Sequence, residues 1–168
     1  MQATITRLAH HVANVGAEGQ PPQTARRLRV INVAAAIGAW LVGSGIVVDS
    51  LYGGLAVHPV TGGKLACLGG YLGIFALNRW RRPLWSALAL IVVAWSNVLV
   101  TTIYIGTGHG LHVFFIAIAA LSVLMTSDGQ EMVVAAVGLI SVALYGYSQV
   151  YLVHGLIAPF SNAMLTVL

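Results

Sequence analysis

The residues of this chain best placed to do chemistry lie in one short stretch, GTGHGLHVFF, Gly106 to Phe115, between two long apolar runs. It holds His109 and His112 three residues apart, with glycines around them. Neutral imidazole binds zinc, copper and haem iron, and protonated imidazole reports pH. If residues 109–112 are helical, the two rings share a face, because residues three apart are neighbours on a helix. The spacing matches no strict metal motif such as His-Glu-x-x-His. Plain interfacial histidines are the simplest reading. A pocket for an organic or ionic ligand, a Zn or Cu site on His109, His112 and His154, and a haem site are the sharper ones.

Other chemistry is sparse. The chain has no phosphate-binding loop, no nucleophile–base pair and no pair of carboxylates, so it is not expected to be an enzyme. Cys67 is the single cysteine and sits in an apolar run, which fits a small buried residue and no thiolate metal site. Asp49 could orient a histidine or bind a cation, or simply end a span. Asn32, Ser96, Asn97, Gln149 and Asn162 lie within apolar runs. A polar side chain in hydrocarbon needs a partner, so these are expected to face other helices.

The elements that must carry these residues are membrane helices. The chain is 58% hydrophobic and 7% charged, with a mean hydropathy of +0.88. Long apolar runs with almost no charge mean spans, and the ten-residue alternation of a transmembrane barrel is missing. The expected fold is an all-α, polytopic membrane helix bundle. Five full spans are expected near residues 28–48, 60–77, 84–105, 111–126 and 132–153, with a short or truncated sixth beginning at Gly155. Residues 1–27 form a cytoplasmic tail and 28–168 the bundle. Within the tail, ITRLAHHVANV could form one or two helical turns and EGQPPQT an irregular linker.

The positive charge is a topology signal rather than a nucleic-acid footprint. Arg26, Arg27 and Arg29 precede the first span, and Arg79, Arg81 and Arg82 join the second to the third. The positive-inside rule puts both groups, and the N-terminus, in the cytoplasm. Pro83 suits the first turn of the third span, and Trp80 and Trp85 suit an interfacial belt. The outer loops then gather His58, His109, His112 and His154. Tyr145, Tyr147, Tyr151 and Gln149 give the fifth span a polar, aromatic outer half. His58, His109, His112, Tyr145 and His154 form the candidate ligand site. Small residues four apart, Gly69/Gly73, Ala34/Gly38 and Ala39/Gly43, allow close helix packing within the bundle or across a homodimer in the lipid.

Three segments together point to a family: RRLRVIN (Arg26 to Asn32), GYLGIFALNRWRRP (Gly70 to Pro83) with its Leu-Asn-Arg signature, and IYIGTGHGLHVFFIAIAALSVL (Ile103 to Leu124) with Gly-x-x-x-Gly-x-His. Over residues 26–168 the chain resembles the six-helix membrane input domain found in bacteria before class III adenylate or guanylate cyclases, and before some diguanylate cyclases and histidine kinases. The resemblance implies a non-catalytic sensor in the inner membrane that passes a signal to a cytoplasmic catalytic domain or partner. It places the family motif on Gly106, Gly110 and His112. The alternatives are a haem-bearing membrane anchor or redox subunit, with His112 and His154 on facing helices, and a small structural subunit of a larger membrane complex.

Overall fold

Four of the apolar runs fold as helices long and apolar enough to cross a membrane. The computed structural model describes residues 2–52, 59–126 and 129–152. In chain order these form α1 (Gln2–Ala13), α2 (Pro22–Tyr52), α3 (Pro59–Arg79) and α4 (Pro83–Ile105). Two 3-10 turns follow (Thr107–His109 and Leu111–Val113), then α5 (Phe114–Met125) and α6 (Glu131–Tyr151). The described residues contain no strand. The expected sixth stretch, from Gly155, lies outside the described residues, as do His58 and His154.

Besides α1, whose 12 residues make over three turns where one or two are expected, two expectations change. α2 begins at Pro22 rather than Leu28, so the PQT of the expected linker is helical. Proline suits a first helical turn, where its missing N–H has no helical acceptor anyway. The second change is in the expected fourth span. Continuous helix occupies only Phe114–Met125, 12 residues, or about 18 Å of rise. A hydrocarbon core is about 30 Å thick. Gly110 is left-handed, at φ 70°, and separates two 3-10 turns ahead of α5. At about 2.0 Å per residue, these turns contribute roughly the missing 12 Å.

The packing fixes the direction of each helix. Asn32 meets Asn78 near one end of α2 and α3, and Asp49 meets Lys64 near the other, so these helices are antiparallel. Trp95 donates its indole N–H to Ser141 at 3.0 Å, and Ile91 shares a core with Val137, so α4 and α6 run parallel. α5 must therefore return the chain between them. α4 is the shared wall of two cores. Ile31, Ala35, Tyr71, Ile74 and Leu90 fill the one between α2, α3 and α4. Ile91, Val98, Phe115, Ile118 and Val137 fill the one between α4, α5 and α6.

Small residues set the spacing. A Cβ on Gly70 would lie 2.7 Å from Val93, one on Gly63 2.7 Å from Val100, and one on Gly38 2.5 Å from the Tyr71 ring. These three glycines seat side chains of this same chain. Gly43, Gly69 and Gly73 meet nothing within 4 Å. The Pro83 expectation holds, with proline in the first turn of α4. Trp80 and Trp85 are both exposed, and Cys67 is buried.

Candidate functional site

The second 3-10 turn carries His112 inward, against α4, α5 and α6. Only 7% of the residue is exposed. The turn exists because Gly110 takes a conformation that other L-residues adopt at a cost. Its backbone donors are met locally. Gly110 N–H donates to the Thr107 carbonyl at 2.9 Å, and Val113 N–H to the Gly110 carbonyl at 3.1 Å. Irregular backbone at membrane depth needs this kind of internal satisfaction.

Among the described residues the imidazole has one hydrogen-bond partner. Gln149 Nε2, on α6, lies 2.6 Å from His112 Nε2. The same amide donates to the Tyr145 hydroxyl at 3.3 Å. With the amide donating in both, His112 Nε2 is an acceptor and the ring proton is on Nδ1. That Nδ1 is buried and has no partner among the described residues. The Tyr145 ring sits beside the imidazole, with centroids 5.4 Å apart and planes tilted by 30°. An unmet polar atom in such a place costs about 1–3 kcal/mol. Such a group favours any change that supplies an acceptor.

Of the five residues expected to form the site, His112 and Tyr145 come together. His109 lies in the first 3-10 turn, with its side chain outside the described atoms. The continuous helix that would align it with His112 is interrupted at Gly110. His58 and His154 lie outside the described residues. Gln149, expected to face other helices and to be part of a polar helix half, is the hub of the arrangement. Its signal was an amide four residues after Tyr145, on the same face of α6. Tyr147 and Tyr151 are exposed and pair with each other, with centroids 5.0 Å apart, away from His112.

The other polar residues of the spans also find defined places. Asp49 lies in the last turn of α2, which continues to Tyr52. It pairs with Lys64 at 2.8 Å, and Lys64 is buried. Asn32 is fully buried, donating to the carbonyls of Ala13 at 3.0 Å and Val15 at 2.9 Å. It accepts from Asn78 Nδ2 at 2.5 Å. Ser96 is exposed and Asn97 half-buried, against the expectation that both face other helices of the bundle. Asn162 lies outside the described residues.

Among the described residues, no group of three or more His, Cys, Asp or Glu could hold a metal ion. To ligate through Nε2, His112 would have to give up Gln149. Comparison with curated proteins and with solved structures returned no match. The MASE7 family model, by contrast, matches residues 17–163, which takes in the four long helices and the broken descent around His112. The chain therefore belongs to MASE7, a family of membrane-associated sensory domains.

Proposed function

We propose that this chain is a non-catalytic input domain of a bacterial inner membrane, passing an outer-side or membrane signal to a cytoplasmic output of the nucleotide-cyclase type. Membership of a sensory family supports the general role. One observation supports the site: His112 is buried at a break in the descending chain, with Nε2 held by Gln149 and Nδ1 unpaired. Broken helices at membrane depth free polar groups for ligands and ions. In this reading a proton, an ion or a small ligand with a hydrogen-bond acceptor binds one arrangement of His112, Tyr145 and Gln149 better than another. The population of bundle states shifts by that difference in affinity. His109, and with it His58 and His154, would complete the rim.

The same reading puts a second copy of the chain against α3 and α4. Gly69 and Gly73 are open to close approach. Ser96 and Asn97 leave polar groups toward the lipid that a facing helix would satisfy.

The test joins residues 1–168 in frame to a class III cyclase catalytic domain, in a bacterium lacking its own cyclase. Cyclic nucleotide output is recorded across external pH and ion composition. His112→Ala should flatten the response by roughly tenfold, about 1.4 kcal/mol of lost discrimination, with membrane levels unchanged. A variant that answers every input as the parent does would remove His112 from the site.

A further inference from the structure

At the end of the bundle away from His112, α2 outruns α3. Asn32 lies level with Asn78, the residue before the end of α3, yet α2 began at Pro22. The ten residues before Asn32 therefore project by about 15 Å. The turn after α1 lies against this projection. Ala17 packs with Ala25 and Leu28, and Leu28 is fully buried. Arg29 Nε donates to Asn14 Oδ1 at 2.8 Å.

The turn touches both helices at once, by different means. The carbonyls of Ala13 and Val15 accept from Asn32 on α2. Gly16, left-handed at φ 72°, lies against the backbone of α3, where a Cβ would sit 2.1 Å from the Asn78 carbonyl oxygen. Asn78 Nδ2 closes the triangle by donating to Asn32 Oδ1. Asn78 Oδ1 is buried with no partner among the described residues, so the closed arrangement already carries one unmet acceptor there.

We propose that residues 13–17 are a releasable latch that senses the position of α2 relative to α3. A shift of one helix along the other by 1–2 Å, roughly the usual amplitude at packed helix contacts, cannot preserve all three contacts. A shift along the hydrogen bonds at 2.9 and 3.0 Å would take them beyond bonding range, and a shift across them would cost Gly16 its fit. The freed asparagines and carbonyls stand at the end of the bundle, where water can pair them, so opening leaves no amide stranded in hydrocarbon. A small displacement between membrane helices thus becomes release of α1 and of the projecting turns of α2. This holds whatever the signal at His112 is.

The test is hydrogen–deuterium exchange on the full chain in lipid nanodiscs, comparing residues 13–20 with the middle of α3. Gly16→Ala disturbs the latch and leaves both asparagines in place. Exchange in 13–20 should rise at least tenfold, with α3 unchanged. Lys64→Met breaks the other tie between α2 and α3, and Asp49→Asn does so more gently. Either should raise exchange in 13–20 several-fold from the far end of α3. Parallel loss of protection throughout the chain in Gly16→Ala, or no change in 13–20, would overturn the latch. A rise with Gly16→Ala but none with Lys64→Met or Asp49→Asn would overturn its sensing of helix position.

Discussion

At the scale of single residues, the molecule uses few polar side chains and buries them in small, incomplete sets. His112, Gln149 and Tyr145 form one, and Asn32 and Asn78 another. Each leaves one buried atom unpaired, His112 Nδ1 and Asn78 Oδ1. Gln149→Leu should strip the imidazole of its hydrogen bond and lower stability by about 1–3 kcal/mol. His112→Leu in the same chain should recover much of that loss, because an apolar pair leaves nothing unpaired. Thermal unfolding in detergent of the two single variants and the double gives the coupling, expected near 1 kcal/mol. A coupling of zero would mean that the 2.6 Å contact carries no energy.

At the scale of elements, glycine determines how closely helices approach. Gly63 and Gly70, seven residues apart on α3, seat Val100 and Val93, seven apart on α4. A methyl at Gly70 would meet Val93 at 2.7 Å, so Gly70→Ala should destabilise by about 1–3 kcal/mol through overpacking. Val93→Ala should relieve part of that cost, as a double-mutant melt would reveal. Gly69→Ala, one position on, meets nothing and should leave the monomer's melt within about 0.5 kcal/mol of the parent. The sequence pattern alone does not separate these neighbours. Both are glycines in one apolar run, and only the rotation of α3 against α4 determines which one is covered.

At the scale of the whole molecule, α5 and the turns before it make the descent that lets α4 and α6 run parallel. The expected consequence is a topology that cysteine labelling can read. In a Cys67→Ser background, Thr107→Cys should react with an impermeant maleimide from the side opposite Trp80→Cys and Gly129→Cys. Labelling of all three from one side would mean that α5 does not complete the crossing. Dimerisation belongs to this scale too. Asn97→Leu should weaken cross-linking between copies in the membrane if the α3–α4 face meets a partner, and leave it unchanged if that face meets only lipid.

The sequence by itself determined the class of fold, because lipid admits only helices and closed barrels, and long apolar runs without a barrel's alternation leave the helix bundle. It also placed the break between α3 and α4, since the second arginine cluster interrupts an apolar run and Pro83 opens a helix. It marked His112 and Tyr145, because a polar group in hydrocarbon is conspicuous in any sequence. Pairing was decided only in three dimensions. Asp49 with Lys64, Asn32 with Asn78 and His112 with Gln149 join residues 15, 46 and 37 positions apart. Each pair depends on the rotation and offset of two packed helices, which no local spacing records. The turn at Gly16 shows the same limit. Its residues read as a loose tail, and only the projection of α2 past α3 gives them a surface to bind.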